Sequence, residues 1–268
     1  MKKKFVASVV QLCSQQDPSV NLEKAIHFIR KAHAEGAEWV GLPENFYYLR
    51  FEGKPMEVRC SLDGEPISSL RKLAKELRIY LLCGTIPEKT RNKKVHNTSV
   101  FLNPRGEIVS IYRKIHLFDV RLKKGPALEE SRSVVRGKRI VVAPTSWGKM
   151  GMSICYDLRF PELYRKMIDQ GAFALCVPSA FTYETGKEHW MPLLRVRAIE
   201  NLAYVLAPAQ VGLHTVQRRS FGHACIINPW GDVLGVLPKG EGVVTSEIDL
   251  QKQQEIRSRF PVLQHRMI

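Results

Sequence analysis

Seven short apolar runs constrain the fold of this chain more than any other feature: KFVASVVQL (4–12), WVGLP (39–43), YLLCGTI (80–86), RIVVAP (139–144), MGMSIC (150–155), ALCVPSAF (174–181) and AYVLAPA (203–209). Short stretches dense in Val, Ile, Leu and Ala read as strands, and strands this apolar need cover on both faces. The segments between them supply that cover. DPSVNLEKAIHFIRKAHAEG (17–36) offers polar cap residues, apolar positions at Leu22, Ala25, Ile26, Ile29 and Ala32, and a terminating glycine, the pattern of one amphipathic helix. PISSLRKLAKELR repeats the spacing through Ile67, Leu70, Ala74 and Leu77, and further helices are expected from near Pro161 and over WMPLLRVRAIEN (190–201). SVFLNPRGEIVSIYRK (99–114) places a Pro-Arg-Gly turn between two strand-like runs, a hairpin pattern, and NPWGD (228–232) splits a final pair of strands. Strand, helix and hairpin recur in both halves without a low-complexity linker. The chain therefore reads as one α/β domain, 1–268, with two mixed sheets face to face and helices outside. A doubly wound single sheet is the alternative, but no G-x-G-x-x-G or Walker sequence marks a nucleotide site in it.

Composition narrows the function classes. With 44% hydrophobic residues in 268 the chain can bury a sizeable core, and no apolar run approaches the roughly 18 residues that cross a bilayer. The opening MKKKFVASVVQLC reads as a strand rather than a signal peptide, which points to a cytoplasmic protein with no membrane partner. Six cysteines form no C-x-x-C pair and no cluster of zinc spacing, so reduced thiols are expected and no metal. The net charge of +15 raises the question of nucleic acid. Its densest runs, MKKK, RNKK (91–94), RLKK (121–124) and QRR (217–219), are spread along the chain with no nucleic-acid-binding motif around them. They read as a solvated basic surface, or as an attraction for small anionic substrates.

Three stretches put an ionisable side chain just past an apolar strand, where active-site residues of α/β folds lie. WVGLPENFYY delivers Glu44, SIYRKIHLFD delivers Lys114, and SICYDLRFPE delivers Cys155. Alone, each has an ordinary explanation: a helix-start carboxylate, a solvated ammonium, a thiol packed as a small hydrophobe. Together they suit nucleophilic attack on a carbon bonded to nitrogen. A cysteine needs a base or a neighbouring cation to react at neutral pH. Glu44 can take the proton and return it to a departing amine, while Lys114 and the Tyr156 N–H can stabilise the oxyanion.

These stretches, in this order, resemble the nitrilase superfamily of carbon–nitrogen hydrolases over essentially the whole chain. The resemblance implies a four-layer α-β-β-α sandwich, a Glu44–Lys114–Cys155 triad, a thioester intermediate, no cofactor, and a homodimer or higher homo-oligomer joined through outer helices. It also implies that Glu130, in PALEESRSV, orients the lysine. IHLFD, CYDLRFPELYR, SAFTYETGKEHW, LLRVRAIEN and GHACIINPWG are similar to the Nit branch, which implies a small carboxylate-bearing amide as substrate: deaminated glutathione first, 2-oxoglutaramate second. N-carbamoyl amino acids and nitriles are the substrates of other branches. The branch further implies Arg159 as the residue that binds the substrate's carboxylate, and Phe181 and Thr185 as pocket residues beside Tyr156. From the residues alone, Arg159 reads as an ion pair with Asp157 or Glu162, Thr185 as a turn residue, Arg197 and Glu200 as an intrahelical pair, and His189 as a packed imidazole. The chain departs from the branch at Glu188 and Met191, which flank His189-Trp190 and would alter charge preference if that segment rims the pocket.

Overall fold

The computed structural model describes residues 3–50, 56–121, 128–216 and 218–267. Two sheets carry the fold. The first runs, in spatial order, Arg218–Phe221, Ala209–Thr215, Lys4–Leu12, Trp39–Gly41, Tyr80–Leu82, Val95–Leu102 and Ile86–Lys89, with Gly242–Asp249 beside Lys4–Leu12 and Ile108–Arg113 beside Val95–Leu102. The second runs Val233–Leu237, Ala224–Ile227, Tyr204–Ala207, Ala172–Cys176, Gly148–Met152 and Val141–Thr145. Each has parallel strands at its centre and antiparallel strands outside, so both are mixed.

The period of two in the first strand sorts its side chains between layers. Phe5, Ala7 and Val9 face the second sheet and join a core with Met150, Leu175 and Val205. Val6, Val10 and Leu12 face outward, onto α1 (Pro18–Ala34) and α2 (Ile67–Leu77) through Ala25, Ile29, Leu70 and Ala74. On the far side, α3 (Pro161–Asp169) and α4 (Tyr183–Asn201) cover the second sheet with Leu163, Tyr164, Trp190 and Leu194. The layers are α-β-β-α, as expected. Asp17 caps α1, its Oδ1 accepting from the N–H groups of Ser19 at 2.8 Å and Val20 at 3.2 Å, an arrangement that contributes about 1 kcal/mol to a helix.

Three expectations are corrected. First, α4 begins at Tyr183, not at Trp190, and runs through Pro192. A proline inside a helix removes one N–H donor, and the wholly buried Trp190 and Leu194 on either side hold the helix to the sheet in spite of that loss. Gly186, in this added stretch, lets α4 approach the Arg218–Phe221 strand, because a Cβ there would lie 2.3 Å from that of Phe221. Second, AYVLAPA is not one strand. The chain leaves the second sheet at Ala207 and enters the first at Ala209, with Pro208 between, so this segment stitches the two sheets together. Third, the strand Gly242–Asp249 and α5 (Leu250–Arg259) were not anticipated. α5 has no apolar stripe to read; Gln253 and Arg257 anchor it by donating to the Leu202 and Phe173 carbonyls.

Candidate active site

The site lies where strand ends from both sheets meet, around a cavity of about 310 Å³. Glu44 follows Trp39–Gly41 and Lys114 follows Ile108–Arg113 in the first sheet; Cys155 follows Gly148–Met152 in the second. Far apart in sequence, the three line one cavity, and all are buried, at 3%, 2% and 8% exposure. The strand before Cys155 ends at Met152, earlier than the apolar run suggested, and the cysteine sits at the head of a 3-10 turn, Cys155–Arg159. Its φ of +48° is a left-handed conformation that costs a non-glycine residue energy and points to a constraint imposed by function.

Lys114 organises the acidic side. Its Nζ lies 2.9 Å from Glu44 Oε1, 2.9 Å from Glu130 Oε2 and 3.2 Å from Glu130 Oε1. Glu130 also accepts the Phe118 N–H at 2.7 Å, and Glu44 Oε2 accepts the Ala180 N–H at 2.9 Å. Asn97 donates to both carboxylates, a residue the sequence reading passed over inside the strand Val95–Leu102. Burial pushes the Glu44 carboxyl up, but the Lys114 charge and hydrogen bond outweigh it and hold the group below its ordinary range. Burial also opposes the Lys114 charge; the Glu130 and Glu44 carboxylates prevail and keep the ammonium protonated well above the usual range. Burial and the facing Glu44 carboxylate push the Cys155 thiol well up, against the pull of Lys114. At rest the proton therefore sits on sulfur with an ionised Glu44 beside it, the distribution that general-base activation requires.

Another buried carboxylate holds the turn that begins at Cys155. Asp157 is fully buried; its Oδ2 accepts from the Tyr112 hydroxyl and the Ile154 N–H, and its Oδ1 accepts from the His116 N–H and Nδ1. These partners exclude the expected Arg159–Asp157 pair. Arg159 instead lies over the rings of Tyr156 and Phe181, at 5.8 and 5.3 Å, with its Nη2 3.3 Å from His189 Nδ1. It is absent from the cavity lining, whereas Tyr156, Phe181 and Thr185 are part of it. His189 is exposed, not packed. Arg197 pairs with Glu200 as expected, but also donates twice to the Leu158 carbonyl and so braces the turn behind Cys155.

The guanidinium groups on the cavity wall are those of Arg50, Arg218 and Arg219. The last two belong to the QRR run, which sequence alone read as a solvated surface or as an attraction for small anionic substrates; of the RLKK run, 122–124 lie outside the described residues. The hairpin carrying Arg218 and Arg219 is fixed by His214, whose Nδ1 bonds the Ser14 carbonyl at 2.8 Å while Nε2 meets Ser220 Oγ at 2.9 Å. Glu188 and Met191 do not line the cavity; from α4 the lining residues are Tyr183, Glu184 and Thr185.

The carbon–nitrogen hydrolase family model matches residues 6–258. The chain belongs to the carbon–nitrogen hydrolase family. Among relatives of this hydrolase, the deaminated glutathione amidase of Synechocystis sp. is 40% identical over 269 residues, covering 99% of both chains. That of Dictyostelium discoideum is 40% identical over 96% of this chain and 92% of its own. In structure the hydrolase is similar to Saccharomyces cerevisiae Nit3, a member of branch 10 of the nitrilase superfamily, with a TM-score of 0.88 and 33% identity over 99% and 97% of the two chains. It also matches the Caenorhabditis elegans NitFhit protein with a TM-score of 0.90 and 34% identity, covering 99% of this chain and 65% of that one. The nitrilase-like sandwich and the carbon–nitrogen hydrolase activity on amides anticipated from sequence both hold. Among the described residues no helix is long and apolar enough to cross a membrane.

Proposed function

We propose that this hydrolase is a thiol-dependent amidase for a small carboxylate-bearing amide, with deaminated glutathione as its substrate, and that Glu44, Lys114 and Cys155 are its catalytic residues with Glu130 orienting the lysine. The observation that carries the reading is the buried Lys114 ammonium, bonded to both Glu44 and Glu130 and lining one cavity with Cys155. Glu44 takes the proton from Cys155 as sulfur attacks the amide carbon, and the carbonyl electron pair moves to oxygen beside Lys114 and the Tyr156 N–H. Collapse breaks the C–N bond; the amine leaves with the proton from Glu44, and Cys155 holds the acyl group as a thioester. Glu44 then deprotonates water, which adds to the thioester; the returning proton restores the thiol and the acid departs.

Two observations support the substrate: relatives named for deaminated glutathione match nearly the whole chain, and three arginines stand on the cavity wall. Arg218 and Arg219 are better placed than Arg159 for a substrate carboxylate, and Tyr156 and Phe181 offer flat apolar faces to the carbon chain. A panel of deaminated glutathione, 2-oxoglutaramate, N-carbamoyl amino acids and nitriles, compared by kcat/KM, tests the assignment. The first should lead; a leading nitrile ends the amidase reading, and a leading 2-oxoglutaramate moves it to an ω-amidase. A homodimer or higher homo-oligomer fits the exposed Val196 and Ile199 on α4, and sedimentation at the mass of two or more chains is the expected result in analytical ultracentrifugation.

A further inference from the structure

Asn97 makes an unusual set of bonds for an amide in a strand. It is 7% exposed and lines the cavity, its Nδ2 lies 2.9 Å from Glu44 Oε1 and 3.1 Å from Glu130 Oε1, and its main-chain carbonyl accepts the main-chain N–H of Lys114 at 2.9 Å. Lys114 Nζ contacts the same two Oε1 atoms. The two carboxylate oxygens are thus bridged twice, once by an ammonium and once by a neutral amide. Two carboxylates around one ammonium leave a buried surplus of negative charge, and Asn97 offers two more N–H donors without adding charge of its own.

The orientation of the amide is fixed by this chemistry, since a flipped side chain would aim its oxygen at two carboxylates. Asn97 Oδ1 is buried and, among the described residues, has no hydrogen-bond partner. Both N–H groups of the amide are spent on the acids.

A carboxylate oxygen accepts about two hydrogen bonds in its plane. Lys114 and Asn97 fill both positions on Glu44 Oε1, whereas Oε2 takes the Ala180 N–H, and Cys155 also hydrogen-bonds to this carboxylate. We propose that Asn97 is a positioning residue for the hydrolysis: its amide closes Glu44 Oε1, leaving Oε2 as the oxygen that exchanges a proton with Cys155 and with the departing amine. This rests on Glu44 being the base. The groups facing Glu44 are Lys114, Cys155 and, at longer range, Arg218, with Glu130 joined to it through Lys114 and Asn97. Of these only Cys155 exchanges a proton with it in the cycle.

The test is the pH profile of kcat/KM in Asn97→Leu, a variant of similar volume without donors, beside Asn97→Gln, which returns them on a longer arm. Losing a donor to the charged form makes a carboxyl easier to protonate, so the acid limb should move up by about one pH unit in Asn97→Leu and part of the way back in Asn97→Gln. Iodoacetamide alkylation of Cys155, followed by mass spectrometry from about pH 3.5 to pH 8, reads the same limb without an amide substrate and confirms that the variant is folded around its cavity. An acid limb at its original pH in both assays overturns the proposal, even if turnover falls. Failure of the underlying base assignment shows itself separately, as turnover retained in Glu44→Gln.

Discussion

The Tyr112 hydroxyl donates to Asp157 Oδ2 at 2.7 Å, and through this bond the turn that carries Cys155 is fastened to the strand that leads into Lys114. Nucleophile and ammonium come from different sheets, so their spacing depends on such ties. Asp157→Asn keeps the shape but must turn an NH2 group toward N–H or O–H donors that the carboxylate accepted. We expect a loss of about 1–3 kcal/mol in urea unfolding and a fall of roughly 10- to 100-fold in kcat. A variant with wild-type turnover contradicts the role of the tie.

Cys155→Ala should leave the fold unchanged and reduce hydrolysis by at least about 10³-fold, because removing the nucleophile of a concerted set removes nearly the whole chemical step. The other buried thiols differ: burial alone pushes Cys60 and Cys225 up to about 12, which keeps them protonated and unreactive. Cys225→Ala is therefore expected to retain turnover, and a loss equal to that of Cys155→Ala would argue that packing, not chemistry, is being measured.

Lys114→Met leaves Glu44 and Glu130 buried without their cation. Breaking a buried pair in this way costs about 3–5 kcal/mol, and the loss of the oxyanion partner should cut kcat by roughly 10²- to 10³-fold. The stability defect has a sign. The orphaned carboxyls favour protonation, so the variant should recover stability relative to wild type as the pH is lowered from 7 to 5. Urea midpoints that keep a constant gap across that range count against the buried cluster.

His214 supplies a pH dependence of a different origin. Burial first of all, together with nearby Arg218, lowers its pKa from 6.5 to about 4. Between those values the unfolded chain binds a proton that the folded chain refuses, so this contribution to stability is complete above pH 6.5 and is lost as the pH falls toward 4. The total is about 3 kcal/mol. His214→Gln should flatten the stability profile over that window, whereas the depressed Glu44 carboxyl acts only below about 4.5. An unchanged slope would show that His214 titrates normally.

Arg219 sits 4.0 Å over the Tyr183 ring on the cavity wall. If the wall recognises a substrate carboxylate away from the reacting bond, Arg219→Ala should raise KM for carboxylate-bearing amides by about 10-fold with kcat nearly unchanged, the signature of lost uniform binding. Neutral amides should show no such change, and an equal rise for both would remove charge recognition from its role.

Much of this protein is fixed by local pattern. The apolar runs, the helical spacing from Leu22 to Ala32 and from Ile67 to Leu77, and the Pro-Arg-Gly turn all act over a few residues, and so the two sheets, their outer helices and the strand ends bearing Glu44, Lys114 and Cys155 were legible before any coordinates. What tertiary structure decided is which polar groups meet once buried. Asn97 is a short polar residue in a strand until Glu44 and Glu130 arrive from elsewhere; Asp157 is an ordinary acid until Tyr112 and His116 close on it; Arg218 rather than Arg159 reaches the cavity wall because a hairpin of the first sheet, entered after the chain crosses from the second at Pro208, forms part of that wall. Hydrogen bonds and ion pairs depend on distances of a few ångströms between residues a hundred positions apart, and hydrophobic periodicity carries no information about them.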